Sequence, residues 1–422
     1  MKKQLEIRRF LTDELIAHLE EKEITLLIGP RQAGKTTLLK HLAELLQAEQ
    51  RKTLFFNIDI ERDKQHFANQ ETFANRLELL TGGEKYYVFI DEVQRLPNAG
   101  LFLKGIYDRG LPHKLIVTGS GSLELKEQVA ESLVGRKLNF FLPTVSPAEF
   151  AHYVTDYAFV DRLSEALHQD RALRNRVLTE YLKFGGYPRV ITAGAEPMKR
   201  RILEEIYQGY IERDIKSLLQ LEKTTAFVTL LQLVANRSGY TVNYSGLATQ
   251  TGLSAPTIKD YLWYAEKTFI LEVVRPYFTN KEKEIAKAPA YYNWDVGLRN
   301  FLLGRYEDPS DVGMKFQTFV FRLLEENFRH GIPKIHFWQT KNKAEVDFVV
   351  NRGYDLLPVE VKYAQLKQPK LTRSYRSFLD KYQPKEGWIV NQSLRATIQI
   401  GETQVRFLPW YDLLSTNDPS VS

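Results

Sequence analysis

The sequence contains no cysteine and no long uninterrupted apolar run. Without cysteine, the chain cannot form disulfides, thiolate zinc sites or a cysteine nucleophile, and this composition suits a reducing compartment. No stretch approaches the roughly 18 consecutive apolar residues of a membrane span. The amino terminus, MKKQLEIRRFLTDELIAHLE, has basic residues with no continuous apolar segment after them, which predicts an amphipathic helix rather than a signal peptide. We therefore expect a cytoplasmic protein that does not enter a membrane.

What the sequence does contain is ordinary for a globular protein. Hydrophobic residues make up 43% and charged residues 26% of the 422 residues, so the chain has neither a disordered nor a fibrous composition. At roughly 100–200 residues per domain, this length predicts two to four domains. The net charge of +6 and the pI near 9.0 mildly favour an acidic partner such as nucleic acid.

Residues 1–150 have the pattern of an α/β domain. Apolar, β-rich segments alternate with helical ones, and the strand candidates are ITLLIG, TLFFNID, YYVFID, KLIVTGS and KLNFFLP. Continuous apolar runs are typical of parallel strands that helices cover on both faces. The alternation therefore predicts a doubly wound parallel sheet.

Three further regions follow. Residues 151–220 have a helical pattern that is interrupted at KFGGYPRV, where glycine and proline favour a turn. Residues 221–310 contain YSGLATQTGLSAPTIKDYLWYAEKTFILEVVRPYF, whose order of helix, turn, helix and strand predicts a winged helix-turn-helix. Residues 311–422 combine the helix GMKFQTFVFRLLEENF with later strands and form a last α/β domain.

A phosphate-binding loop is the most specific motif. GPRQAGKT matches G-x-x-x-x-G-K-[ST] and lies between an apolar strand and a helix. Backbone N–H groups of such a loop form a nest for phosphate, and the start of the helix adds a positive dipole end. Lys35 would bridge the β- and γ-phosphates of ATP, and Thr36 would bind Mg²⁺. The residues expected to contact nucleotide are Gly29, Pro30, Arg31, Gln32, Ala33, Gly34, Lys35, Thr36 and Thr37.

A second acidic motif follows the strand YYVFID. Asp91 at the strand end would hold the magnesium shell, and Glu92 would polarise the attacking water, which predicts hydrolysis; the alternative is a pair of solvated loop carboxylates. Ser120 ends the next strand and is a candidate contact to the γ-phosphate or its water, or a polar strand end before a turn. Arg136 is a candidate arginine finger acting on a neighbouring subunit, because arginine can neutralise charge on the transferred phosphoryl group, or a surface arginine.

Taken together, these motifs resemble those of a group of prokaryotic AAA-type ATPases. The marks of the resemblance are GPRQAGKTTL, FIDEVQRLP, VTGSGS, GRKLNFFLPTVSPAEF, GGYP, YIERDI and DVGLRNFLLG, in this order over nearly the whole chain. The resemblance implies an AAA-type ATPase core, a winged helix and a carboxyl-terminal domain of unknown function, often of restriction-endonuclease-like fold. It also implies a homo-oligomer, with a ring as the expected form, that binds nucleotide between subunits.

The expected winged helix has two interpretations. The exposed positions of its second helix would include Thr257, Lys259 and Asp260, which is a sparse set for reading bases. The expected wing is richer in cations: Arg275, Lys281, Lys283 and Lys287. The region would either contact DNA phosphates without strong sequence preference or only pack subunits together.

The stretch KNKAEVDFVVNRGYDLLPVEVKYA predicts a β-hairpin with a possible acid centre. If Arg352 and Gly353 form a two-residue loop, Glu345 lies opposite Glu360, with Asp347 diagonally across on the same face. Carboxylates this close favour Mg²⁺ or Mn²⁺ between them. Asp347, Glu360 and Lys362 resemble the D…E-x-K centre of restriction-endonuclease-like nucleases; a solvated hairpin face is the alternative.

Such nucleases usually add an acid from a preceding helix. The matching segment here is KFQTFV, which offers only the neutral amide of Gln317; Glu325 or Glu326 could substitute from lower on that helix. A basic run follows around Tyr375 and Phe378, with cations that would suit a nucleic-acid backbone or a solvated helix face. These cations are Lys367, Lys370, Arg373, Arg376, Lys381 and Lys385.

The sequence thus predicts a magnesium-dependent ATP hydrolase that moves or remodels duplex or branched DNA. Two alternatives remain open. One is a nucleotide-dependent switch that binds a protein partner, and the other is an ATP-gated DNA nuclease.

Overall fold

The computed structural model describes residues 7–120, 133–215, 224–329, 334–342 and 344–414. A five-stranded sheet forms the centre of the first part of the chain, and every strand pair in it is parallel. Its spatial order is β2-β3-β4-β1-β5. The strands are β1 (Ile24–Gly29), β2 (Thr53–Asn57), β3 (Tyr87–Asp91), β4 (Lys114–Ser120) and β5 (Lys137–Phe141).

Helices cover this sheet on both faces, as the continuous apolar strands require. They are α1 (Leu11–Ala17), α2 (Lys35–Ala48), α3 (Glu61–Lys64), α4 (Gln70–Thr81) and α5 (Ala99–Asp108), with 3₁₀ turns at His18–Glu20, Gln65–Phe67 and Val93–Arg95. One apolar cluster packs α1 and α2 against the sheet, and a second packs α4 and α5. Because β4 lies between β1 and β3, the ends of β1 and β3 meet at the same edge with the end of β4 between them.

Helices dominate the middle of the chain. They are α6 (Pro147–Val154), α7 (Leu163–Gln169), α8 (Arg171–Phe184), α9 (Pro188–Thr192), α10 (Glu196–Gly209), a π-helical turn at Tyr210–Ile215, α11 (Thr225–Asn236), α12 (Tyr244–Thr251) and α13 (Ala255–Lys267). Gly252 takes the left-handed conformation (φ 70°) that ends α12. Ser254 then caps α13 by accepting a hydrogen bond from the Thr257 N–H.

An eight-stranded mixed sheet forms the centre of the last part, in the order β12-β13-β11-β10-β9-β8-β6-β7. Its strands are β6 (Leu271–Pro276), β7 (Ala290–Asn293), β8 (Lys334–Gln339), β9 (Glu345–Asn351), β10 (Leu356–Val361), β11 (Glu386–Asn391), β12 (Ala396–Ile400) and β13 (Thr403–Pro409). The associated helices are α14 (Lys281–Ala286), α15 (Val296–Leu303), α16 (Val312–Asn327) and α17 (Arg373–Tyr382), with 3₁₀ turns at Pro309–Asp311 and Trp410–Leu414.

The expected wing is part of this larger sheet. Strand β6 pairs with β7 on one side and in parallel with β8 on the other, where Arg275 faces His336. Lys281 and Lys283 lie on the short helix α14 between β6 and β7. The sheet therefore includes strands from both sides of residue 310, the predicted boundary between the last two domains.

Candidate nucleotide-binding site and acid centre

The phosphate loop follows β1 at the carboxyl edge of the five-stranded sheet, and α2 begins immediately after it. A Cβ at Gly29 would lie 2.1 Å from the Leu142 carbonyl oxygen, so only glycine allows β1 to end against this backbone. Gly34 has φ +97°, a left-handed conformation that L-residues rarely adopt. Glycine is thus favoured at Gly29 by the close approach of the Leu142 backbone and at Gly34 by its positive φ.

The side chain of Lys35 is buried within the phosphate loop. Its ammonium donates hydrogen bonds to the carbonyl oxygens of Gly29 and Pro30, at 2.9 Å each. Only 5% of Lys35 is exposed. The charge is therefore held at the turn from β1 into the loop, beside the backbone that would surround a phosphate.

Thr36 and Asp91 come together as the motif spacing predicts for a magnesium site. The Thr36 hydroxyl donates to Asp91 Oδ2 at 2.7 Å, and Thr118 donates to Asp91 Oδ1. Asp91 is fully buried. The resulting hydroxyl–carboxylate pair presents the hard oxygen ligands that Mg²⁺ prefers.

Thr118, two residues before Ser120 at the polar end of β4, contacts the acidic pair Asp91 and Glu92. Its hydroxyl also accepts a hydrogen bond from the Glu92 N–H at 3.1 Å, so one side chain contacts both acidic residues. The adjacency of β3 and β4 causes this contact, and strand order is not visible in the motif itself. The side chain of Ser120 lies outside the described residues.

Glu92 lies in a strained conformation at the end of β3. Its φ of +60° is in the left-handed region, which costs about 1 kcal/mol or more for a non-glycine residue. The side chain is partly buried and accepts a hydrogen bond from Gln94 Nε2. Strain of this kind is common where a side chain must be held at a reacting group.

Arg136 lies at the amino edge of the sheet, opposite the phosphate loop. Its carbonyl oxygen accepts from the N–H of Ile24, the first residue of β1. Its guanidinium binds both carboxylate oxygens of Asp108, at 2.7 and 3.3 Å, and this ion pair raises the pKa of Arg136. The length of β1 separates Arg136 from the loop of its own chain, so a role in catalysis requires a neighbouring subunit.

An open cleft of about 1160 Å³ adjoins the phosphate loop. Gly34 and Thr37 line it on one side, and the segment before α1 and helix α9 line it on the others. Arg189 on α9 donates to the Gln32 side chain of the loop at 3.0 Å. The cleft is large enough for the nucleoside part of a nucleotide.

The acid centre forms on the β9–β10 hairpin, but with a different register from the expected one. Leu356 pairs with Asn351 and Val359 with Phe348, because the loop has four residues, 352–355, rather than two. The register therefore moves by two positions, which keeps the same side chains on the same face. Asp347, not Glu345, follows in register opposite Glu360.

The two carboxyl groups of the centre have different partners. Asp347 accepts from the Val361 N–H at 2.7 Å and from Gln317 Nε2 at 2.9 Å. Glu360 is 5% exposed and pairs with Lys362 at 2.6 Å. Burial, with the Glu360 charge as a smaller cause, raises the pKa of Asp347 from 3.8 to about 7. The pKa of Lys362 is also raised; burial opposes this rise, and the Glu360 charge is its main cause.

Gln317 occupies the position on α16 that the sequence predicted, whereas the suggested substitutes do not. Glu326 accepts from the Ser146 hydroxyl at 2.7 Å, and Glu325 pairs with Arg322. Burial raises the pKa values of both glutamates. Their partners lie away from the hairpin, so neither completes the acid centre. Within the described ranges, no group of three or more His, Asp or Glu side chains is arranged to hold a metal ion.

In the basic run around α17, the cations are exposed and the two aromatic residues are buried. All six of its cations are exposed: Lys367, Lys370, Arg373, Arg376, Lys381 and Lys385. Tyr375 and Phe378 are fully buried, because helix α17 packs this face on the sheet. Stacking of bases on these two rings is therefore excluded. The charged face remains.

None of the described helices combines the length and the apolar character that crossing a membrane would require.

Three family models match successive parts of the chain. An AAA domain matches residues 21–151, a domain of unknown function (DUF8612) matches residues 175–308, and another (DUF4143) matches residues 312–413. The chain is therefore similar to an AAA domain followed by two domains of unknown function.

Similar whole chains are themselves uncharacterised. Protein Rv2008c of Mycobacterium tuberculosis is 24% identical over 379 residues, covering 88% of this chain and 77% of its own. Protein MJ1544 of Methanocaldococcus jannaschii is 25% identical over 339 residues, covering 78% and 72%. Among solved structures, AMPPCP-bound DnaA from Aquifex aeolicus has 14% identity and a TM-score of 0.29, over 60% of this chain and 86% of its own. Cdc6p from Pyrobaculum aerophilum has 14% identity and a TM-score of 0.27, over 70% and 92%.

Proposed function

We propose that the protein is a magnesium-dependent ATP hydrolase. The observation that carries this proposal is the contact between Thr36 and Asp91, which joins the phosphate loop to the end of the neighbouring acidic strand. A loop of backbone N–H groups, a buried lysine and a hydroxyl–carboxylate pair are the parts that phosphoryl transfer needs. The match of residues 21–151 to an AAA domain supports the same assignment.

Each residue of the nucleotide site would have a distinct role in binding or hydrolysis. Residues Gly29–Thr37 would hold the phosphates of ATP, with Lys35 neutralising charge between the β- and γ-phosphates. Thr36 and Asp91 would hold Mg²⁺, directly or through its waters. Glu92 would orient and polarise the attacking water, and Ser120 would contact the γ-phosphate. Arg136 would act on the ATP of a neighbouring subunit in an oligomer, with a ring as the expected arrangement.

DNA is the proposed macromolecular partner. Helices α11, α12 and α13 with strands β6 and β7 have the element order of a winged helix, and Thr241 bridges Ala290 as its short first strand would. Six exposed cations surround α17, and the hydroxyl of its N-cap residue Thr372 donates a hydrogen bond to Glu360, at 3.0 Å. Such a surface would hold a phosphate backbone with little sequence preference. Hydrolysis would then move or remodel duplex or branched DNA.

The carboxyl-terminal part is proposed to be nuclease-like in form. The order α16, β8, β9, β10, α17, β11 brings Gln317, Asp347 and Glu360 to one site, with Lys362 beside it. Its neutral Gln317 lowers the negative charge available for a divalent ion. An ATP-gated nuclease is therefore the second proposal, and it differs from the first by metal-dependent nicking that is lost in Asp347→Ala and Glu360→Ala.

The assignment is tested by steady-state ATP hydrolysis with Mg²⁺, alone and with single-stranded, duplex and four-way-junction DNA. We expect Lys35→Ala to abolish nucleotide binding, and Glu92→Gln to bind ATP but not turn it over. Normal turnover in either variant would refute the site. Stimulation by DNA that falls steeply with salt supports the DNA partner. Hydrolysis that is indifferent to DNA supports a switch that binds a protein partner.

A further inference from the structure

Arg9, which precedes α1, is buried against the phosphate loop and lies at the wall of the cleft that adjoins it. Its Nη1 donates to the Ala33 carbonyl oxygen at 2.9 Å, and its Nη2 donates to the Pro143 carbonyl oxygen at 2.7 Å. Its Nε donates to Glu149 Oε2 at 3.0 Å. Only 9% of Arg9 and 4% of Glu149 is exposed. One guanidinium thus ties the loop to the segment after β5 and to helix α6.

The hydrogen bond from Arg9 to the Ala33 carbonyl oxygen also fixes the direction of the neighbouring Gly34 N–H. The peptide between Ala33 and Gly34 is planar and trans, so its C=O and N–H point in opposite directions. Because Arg9 holds the C=O, the Gly34 N–H points away from Arg9. Gly34 is followed directly by Lys35, the first residue of α2. An N–H at this position joins the anion-binding groups of the helix start.

Glu149 holds the guanidinium in place. Its Oε1 accepts from the Phe10 N–H at 2.8 Å, and its Oε2 accepts from the Ser146 N–H at 3.0 Å as well as from Arg9. The contact with Ser146 is half of a capping box at the start of α6. A buried ion pair whose atoms are satisfied in this way is rigid, and removing one partner is costly.

The last part of the chain supports the same network. The Ser146 hydroxyl donates to Glu326 on α16, at 2.7 Å. Helix α16 also carries Gln317, which donates to Asp347 of the acid centre. The support of the phosphate loop therefore includes a residue from the far end of the sequence.

We propose that Arg9 is a positioning residue for nucleotide binding, which aims the Gly34 N–H at a bound phosphate, and that Glu149 holds Arg9 in the orientation needed. The proposal rests on the proposed function, since it requires ATP phosphates in the loop. It assigns Arg9 no contact with ATP itself.

The first test is Arg9→Lys, which keeps the charge but loses the planar fork that reaches three acceptors at once. If the loop orientation held by Arg9 stabilises bound ATP and the transition state by the same amount, Arg9→Lys should raise the KM for ATP and leave kcat unchanged. Loss of one well-aligned phosphate donor predicts a rise in KM of about tenfold. A variant that is only destabilised would instead show a lower kcat, from a smaller folded fraction, at an unchanged KM.

The matched control is Arg299→Lys. Arg299 is a second buried arginine that binds a carboxylate, Asp311, at 2.6 Å, and a backbone carbonyl, that of Ala235, at 2.9 Å. It has no contact with the loop among the described residues. We expect a comparable loss of thermal stability in the two variants, with KM raised only in Arg9→Lys.

Two further variants keep the proposal testable if Arg9→Lys folds poorly. Glu149→Gln removes the charge that holds Arg9 and is expected to raise KM in the same direction. Lys35→Ala tests ATP hydrolysis at the phosphate loop independently of the role of Arg9. Normal hydrolysis in this variant refutes the proposed function itself. Loss of hydrolysis in Lys35→Ala, together with an unchanged KM in Arg9→Lys and Glu149→Gln, would overturn only the role of Arg9.

Discussion

Replacing Asp347 by asparagine should stabilise the protein at alkaline pH and leave its stability unchanged at acid pH. Burial raises the pKa of Asp347 from 3.8 to about 7. The folded protein therefore binds a proton at this carboxyl group more tightly than the unfolded chain does. Ionising Asp347 therefore costs more free energy in the folded protein than in the unfolded chain. This destabilisation is absent below pH 4, grows as the pH rises from about 4 to 7, and is complete above pH 7.

The size of the effect follows from the same pKa difference. Each tenfold change in an acid dissociation constant corresponds to about 1.4 kcal/mol, so a rise from 3.8 to about 7 corresponds to about 4 kcal/mol. The Asp347 side chain is partly exposed, and water screens part of this cost. Asparagine can keep the bond from Val361 and, after an amide flip of Gln317, the second bond as well. We therefore expect Asp347→Asn to gain about 2 kcal/mol at pH 8.

The assay is urea unfolding between pH 4.5 and 8.5 in the presence of EDTA. Trp338, Trp388 and Trp410 are buried in the carboxyl-terminal part, and their fluorescence reports its unfolding. Glu345→Gln is the control, because Glu345 is an exposed carboxylate on the same strand. A gain in Asp347→Asn that does not depend on pH, or a gain of equal size in the control, would refute the electrostatic reasoning.

A divalent ion extends the same experiment. If Asp347 and Glu360 share a metal ion, Mn²⁺ added at pH 8 should stabilise the unaltered protein through mass action and leave Asp347→Asn unchanged. Equal responses of the two proteins to Mn²⁺ would exclude binding at this pair. The result bears directly on whether the acid centre can act as a nuclease.

Three further changes test the packing of the molecule by thermal or urea unfolding. Arg299→Ala leaves the Asp311 carboxylate buried without its partner and should cost about 3–5 kcal/mol; a loss under 1 kcal/mol would contradict this. Ser254→Ala removes the cap of α13 and should cost about 1 kcal/mol, whereas Ser254→Thr, which keeps the hydroxyl, should cost less. Gly186→Ala would put a Cβ 2.1 Å from the Val145 carbonyl oxygen and should cost about 1–3 kcal/mol through backbone shifts; neutral behaviour would mean that this backbone moves freely.

Local motifs alone were sufficient to predict the α/β character of the first region. Its parallel sheet is as predicted, because continuous apolar strands and a loop with two glycines are encoded within a few neighbouring residues. The pairing of Thr36 with Asp91 follows from the same motifs, since both lie at the carboxyl edge of one sheet. The roles of these residues in catalysis stay predictions.

Contacts between distant segments could not be predicted in this way. In the sequence, Arg9 is one cation among several near the amino terminus. Only the packing of distant segments brings its guanidinium within hydrogen-bond distance of the Ala33 carbonyl oxygen. The opposition of Asp347 and Glu360 depended on the length of a hairpin loop, which a few turn residues do not determine.

The sequence by itself determined the elements, the phosphate loop and the residue types of both candidate sites, since these are properties of short segments. The tertiary structure alone decided that β6 joins the sheet of the last domain, that Tyr375 and Phe378 face the core, and that Glu326 supports the first domain instead of the acid centre. The physical reason is that burial and partnership depend on which surfaces pack together, and residues far apart in the sequence supply those surfaces.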